Sequence, residues 1–221
     1  MTRRKLHRFQ HNQEAFNVIE RGKEYYTTIK GKWHEYFKND NPIFLELACG
    51  KGEYTVGLAE NLPDKNIIGV DIKGDRIARG SKAAINKGLT NAAFLRTGIQ
   101  FLDEFFEPNE VDEIWLIHPD PQPRDKEEKR RLTNQNFLNL YKKYLKPDGF
   151  FRLKTDSSFL YDYTLEVLSH DDELVIIDHT NDLYNSPLNE HHFGIETHYE
   201  KLWTEKGCTI NYILTQFKPK A

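Results

Sequence analysis

Phe44-Leu45-Glu46-Leu47-Ala48-Cys49-Gly50-Lys51-Gly52 is an apolar run that carries one carboxylate and ends in small residues. Small side chains in a turn straight after a strand let the backbone approach a ligand without a Cβ in the way. Outward from this stretch, short β-branched or aromatic runs alternate with helix-like segments, the pattern of repeated βαβ units around a parallel sheet. Strands are expected over residues 43–48, 66–71, 92–97, 112–118, 149–155, 173–179 and 209–217, and helices over about 54–61, 73–87, 133–145 and 158–169. Lys146-Pro147-Asp148-Gly149 reads as a helix stop and a tight turn into a strand. Without internal repeats or a low-complexity linker, residues 41–221 are expected to form one α/β domain. Its sheet should be seven-stranded and mostly parallel, with helices on both faces, preceded by a basic and aromatic extension over residues 1–40.

The chain has 221 residues, 38% of them hydrophobic, 29% charged and 13% aromatic, enough for a full core beneath a very polar surface. Apolar runs such as Ile114 to Ile117 fall far short of the ~20 residues that cross a bilayer. Cys49 and Cys208 lie far apart with no CxxC spacing, and the Arg-rich start has no apolar segment behind it. A reduced, cytoplasmic setting is expected. His191-His192 has neither an HxxxH spacing nor a cysteine partner, so no metal is expected.

A net charge of −3 argues against a protein that coats nucleic acid indiscriminately. Its distribution argues differently. Residues 1–40 carry nine Lys/Arg against five acids, residues 124–154 carry ten against four, and the rest of the chain therefore carries −13. In the first segment, which includes Arg3, Arg4, Lys5 and Arg8, the cations alternate with Phe9, Phe16, Tyr25, Tyr26, Trp33, Tyr36 and Phe37, a mixture suited to phosphate contact with stacking and equally to a solvated arm packed on the domain.

In open parallel sheets ligands collect at the carboxyl ends of the strands, near the point where strand order reverses. A dinucleotide fingerprint would need glycine where Ala48 or Thr55 stands, depending on its frame, and a Walker loop would need Ser or Thr after Lys51. Glu46 would repel a pyrophosphate but suits a cation. S-adenosyl-L-methionine carries a sulfonium and an ammonium, and it is the cofactor favoured here. Asp71 follows Gly50 by 21 residues at the end of the next strand, where a carboxylate accepts both ribose hydroxyls of an adenosine or caps the following helix. After the fourth strand, three prolines in His118-Pro119-Asp120-Pro121-Gln122-Pro123-Arg124 stiffen a loop around Asp120.

Taken together, LELACGKG, GVDIKGDR, PDPQPR followed by KRRLT, LKTD and Glu196-Thr197-His198-Tyr199-Glu200 resemble the bacterial tRNA (guanine-N7)-methyltransferase family of the TrmB type, over residues 44–201. The resemblance implies a Rossmann-like class I S-adenosylmethionine-dependent methyltransferase fold and methyl transfer to N7 of a guanine in the tRNA variable loop. It implies cofactor contacts from Glu46, Gly50, Gly52, Asp71, Gly98 and Asp120, with Asp120 catalytic, and substrate contacts from Arg124, Asp156, Thr197, Tyr199 and Glu200. It also makes phosphate contact the expected role of Lys126, Lys129, Arg130 and Arg131. This chain departs from the family pattern at four places: Ala48 stands for a glycine, Gln122 for a tryptophan, Arg124 for a lysine and Gly98 for an aspartate. Gly98 and Gln122 leave open a catalytically silent tRNA-binding protein of the same fold; a methyltransferase acting on another substrate is a further alternative, one that would give the two basic segments no purpose.

Overall fold

The computed structural model describes residues 3–220, with side chains from Lys5 onward, so the side chains of Arg3 and Arg4 lie outside the described residues. The chain opens with α1 (Arg3–Glu14), β1 (Val18–Ile19), α2 (Tyr25–Thr28) and α3 (Trp33–Phe37). Then β2 (Ile43–Leu47), α4 (Glu53–Asn61), β3 (Asn66–Val70), α5 (Gly74–Asn86) and β4 (Ala92–Leu95) form the first βαβ units. The second half holds β5 (Val111–Ile117), α6 (Gln135–Tyr144), β6 (Leu145–Thr155), α7 (Ser158–Ser169), β7 (Leu174–Thr180), α8 (His198–Thr204) and β8 (Asn211–Phe217).

One eight-stranded sheet runs β1-β4-β3-β2-β5-β6-β8-β7. Every pairing is parallel except those of β8, which is antiparallel to both β6 and β7. The strand beyond the seven expected is β1, whose two residues pair with Phe94 and Leu95. Residues Val18–Ile19, Glu20 and Trp33 thus pack into the domain. Trp33, fully buried, stacks on Phe106 and donates its indole N–H to Phe105 O at 2.9 Å, while Arg96 beside β4 pairs with Glu20 beyond β1 at 3.0 Å.

Period-two alternation sends successive side chains to opposite faces of the sheet and divides the core in two. Leu45, Leu47, Ile114 and Leu116 meet Leu138 and Tyr141 of α6 and Leu160 of α7 on one face. Ile67, Phe94 and Trp115 meet Tyr54 and Leu58 of α4 and Ile77 of α5 on the other. From β2 the chain crosses to β3 and β4 on one side, then returns to β5 and β6 on the other, so strand order reverses between β2 and β5. Their carboxyl ends are where the sequence places Ala48–Gly52 and His118–Arg124. None of the helices among the described residues is long and apolar enough to cross a membrane.

Candidate active site

Two adjoining cavities open at this reversal. One, of about 320 Å³, is lined by Asp71, Lys73, Thr97, Gly98, Gln100 and Phe137, among others. The other, of about 480 Å³, is lined by Glu46, Gly50, Tyr54, Asp156, Thr197, Tyr199, Glu200 and Trp203, among others. Ala48, Arg76, His118, Pro119 and Asp120 line both. Asp120 therefore stands on the wall between them.

The turn after β2 is held by Asp71. Its Oδ2 accepts from Gly50 N at 2.9 Å and its Oδ1 from Lys73 N at 2.7 Å, which leaves lone pairs on both oxygens for hydroxyl donors. Ala48 adopts φ +57 and Gly50 φ +55, so an alanine and a glycine both take the left-handed region in this turn. Gly52 is not part of either cavity: a Cβ there would collide with the Phe94 ring, which packs into the α4–α5 contact. It packs closely against Phe94 and lies off the cavity walls where a cofactor contact is expected. The Gln100 side chain lies over Gly98, bringing an amide to the cavity wall.

Glu46 points to the α4 side of the sheet, 3% exposed, and its Oε2 accepts from Thr55 N at 2.6 Å and from the Thr55 hydroxyl. Gly69, its neighbour in register on β3, leaves the space that Thr55 fills. Burial pushes the Glu46 carboxyl up to about 8, and the two Thr55 hydrogen bonds offset this only in part.

Across the second cavity the charges are arranged differently. Lys154 and Glu200, both fully buried, pair at 2.6 Å. Glu200 Oε1 also accepts from Tyr184 OH at 2.5 Å, and Oε2 from Thr197 N at 3.1 Å. The last contact belongs to a capping box, in which Thr197 Oγ1 accepts from Glu200 N at 3.2 Å and starts α8. His118, at φ +44, sits between two carboxylates, with Nδ1 3.1 Å from Asp156 Oδ1 and Nε2 facing Glu200 Oε2 at 3.3 Å without hydrogen-bond alignment. Burial works against the imidazolium but is outweighed by these two carboxylates, so the His118 pKa is raised. Burial likewise works against ionised Glu200 and is outweighed by His118 and Lys154, which hold its carboxyl down at about 2.

The catalytic-loop candidate is braced from below. Arg131, 4% exposed, donates to Gln122 O at 3.0 Å and lies over the rings of Phe159 and Tyr163, with its guanidinium carbon 4.8 and 4.4 Å from their centres. Arg131 is thus a buried strut and not the phosphate ligand expected. Arg124 forks onto Glu127, which also pairs with Arg130 at 3.7 Å, so part of this basic run is neutralised from within. Lys126 and Lys129 remain exposed.

Of the predicted residues, the fold brings Glu46, Gly50, Asp71, Gly98, Asp120, Asp156, Thr197, Tyr199 and Glu200 onto the two cavities. Arg124 and Gly52 lie outside them. Arg76, His118, Lys154, Tyr184 and Trp203 join the site without a role expected from sequence. A Thr-x-x-Glu capping signal at Thr197–Glu200 is present in the sequence and marks α8; nothing local marks Tyr184.

A family model described as a putative methyltransferase matches residues 40–213. The chain is 51% identical to a tRNA (guanine-N(7)-)-methyltransferase of Cytophaga hutchinsonii over 99% of this chain and 100% of that one, and 48% identical to one of Christiangramia forsetii over 98% and 99%. A relative of the same name from Streptococcus thermophilus is 37% identical over 86% and 87%. Among solved structures, the 16S rRNA methyltransferase KamB shares the fold with a TM-score of 0.64 at 14% identity, covering 86% of this chain and 94% of that one. With this extent of identity along nearly the whole chain, the protein belongs to the tRNA (guanine-N(7)-)-methyltransferase family.

Proposed function

We propose that the protein transfers a methyl group from S-adenosyl-L-methionine to N7 of a guanine in the tRNA variable loop. The observation that carries this reading is the pair of cavities sharing the wall at Asp120: one suits an adenosine, and the other has room for the cofactor's amino-acid end on its Glu46 side and a planar base on its Glu200 side. Asp71 would accept the ribose hydroxyls, Gln100 and the Gly98 backbone would meet the adenine, and buried Glu46 would face the cationic amino-acid end. The cofactor supplies a methyl group activated on a sulfonium.

Guanine N7 has an in-plane lone pair and no proton, so no general base is required. Methylation places positive charge on the purine, and a carboxylate fixed at Asp120 favours that charge as it develops. Holding the base against the donor supplies further acceleration through orientation. The N1–H and N2–H₂ edge needs acceptors. Asp156 Oδ2 has no side-chain hydrogen-bond partner among the described residues, whereas Glu200 is engaged on both oxygens. We therefore assign the guanine edge to Asp156, with Glu200, Thr197 and His118 holding the wall behind it and Tyr199 and Trp203 at the rim. Such an enzyme works with tRNA in the cytoplasm, in keeping with its two free cysteines.

The test is methyl transfer from labelled cofactor to bulk tRNA, followed by chemical cleavage at N7-methylguanosine. Cleavage is expected in the variable loop; label in another region, or in protein instead of tRNA, overturns the reading.

A further inference from the structure

The groove between α1 and α5 lies outside the two cavities and holds none of the residues assigned to methyl transfer. It encloses about 450 Å³, and five of the side chains that line it are basic: His7, Arg8 and His11 from α1, Arg79 and Lys82 from α5. None of its lining residues is acidic. Along α5, Arg76, Arg79 and Lys82 follow one another at three-residue steps, which places them on one slanting ridge of the helix. Arg76 lines both active-site cavities, Arg79 lines this groove and the neighbouring surface cleft, and Lys82 lines the groove. A continuous track of cations therefore leads from the reaction centre to α1, over roughly 9 Å of helix axis.

Some cations nearby find carboxylates: Lys87 pairs with Glu60 at 2.7 Å and Arg8 approaches Asp75 at 3.8 Å. Arg76, Arg79 and Lys82 are exposed and make no ion pair or side-chain hydrogen bond among the described residues. Crowding shows on His11, where burial and then the Lys82 ammonium depress the imidazole pKa. Residues 73–87 hold five Lys/Arg and one acid, a basic segment hidden inside the part of the chain whose net charge is −13. Like charges gathered without acids are unfavourable until an anion arrives.

We propose that the α1–α5 groove and the Arg76–Arg79–Lys82 ridge bind backbone phosphates of the tRNA that flank the target base. This rests on the tRNA reading above. The partner is a strand and not a single anion, because the cations are strung along an open ridge that starts at the active-site mouth. Contacts of this kind set position and affinity rather than base identity.

The test compares wild type with the double variant Arg79→Ala/Lys82→Ala, measuring tRNA binding from 50 to 300 mM KCl, steady-state methylation and adenosylhomocysteine affinity. The slope of log affinity against log salt should fall by about 2, about one for each phosphate that the variant no longer neutralises. KM for tRNA at low salt should rise by about tenfold or more, while adenosylhomocysteine affinity should stay within about twofold. Lys87→Ala, already neutralised by Glu60, should change the slope by much less. A double variant with the wild-type slope and KM overturns the groove, as does one whose defect is confined to kcat. Failure of the wild type to bind or methylate tRNA would instead overturn the functional reading itself.

Discussion

Glu46 and Glu200 line the same cavity, both are buried, and their surroundings push their carboxyl pKa values in opposite directions. Glu46 has hydrogen bonds from Thr55 and no ion pair among the described residues; Glu200 has Lys154, His118, a tyrosine hydroxyl and a helix-capping amide. A carboxyl left without a countercharge waits for one, and that suits the wall proposed to receive a sulfonium and an ammonium. A carboxylate saturated by its own protein is a fixed part of the scaffold, and that suits the wall against which a neutral base is laid.

The largest effect expected on this contrast is from Glu200→Ala, which strands Lys154 fully buried without its partner. Removing one member of a buried pair should cost about 3–5 kcal/mol, read from denaturant unfolding; an unchanged midpoint would show that Lys154 is not held by Glu200. Asp120→Ala acts at the boundary between the two walls. Loss of a carboxylate aimed at developing charge should lower kcat by roughly 10²–10³, and single-turnover methyl transfer within twofold of wild type would remove Asp120 from catalysis.

Glu46→Gln sharpens the other side. With Glu46 protonated below about 8, cofactor binding in the wild type should release a proton, so affinity measured by calorimetry should rise by about tenfold between pH 7 and 9 relative to the Gln variant. Parallel pH curves for the two proteins would break the assignment of Glu46 to the cationic end. The smallest effect expected is from His118→Asn. The raised His118 pKa gives stability that is full below 6.5 and lost as pH rises through the folded value. The melting-temperature advantage of wild type over the variant should therefore be greatest near pH 6 and shrink above it; an advantage independent of pH would mean that His118 is neutral between Asp156 and Glu200.

The two basic regions near the site differ in a similar way. The run at residues 124–131 reads in sequence as a phosphate grip, yet Glu127 neutralises two of its arginines and Arg131 is buried under two aromatic rings. The α5 ridge is inconspicuous in sequence because its cations are spaced by threes among small residues and fall in an acidic stretch overall. Whether a charge is free depends on what folds beside it, and composition does not report that.

By itself, the sequence determined the βαβ order, the turn after β2, the placement of Asp71, the proline-bound loop around Asp120 and the family to which the motifs point. These are local: periodicity, turn chemistry and strand-end position act within a few residues. Tertiary structure alone decided that Val18–Ile19 would extend the sheet beside β4, that Gly52 would serve packing, that Arg131 would become a strut, and that Lys154, His118 and Tyr184 would gather around Glu200. Each of these joins residues distant along the chain, and a partner brought in by folding changes what a side chain does by removing its water and supplying or withholding a countercharge.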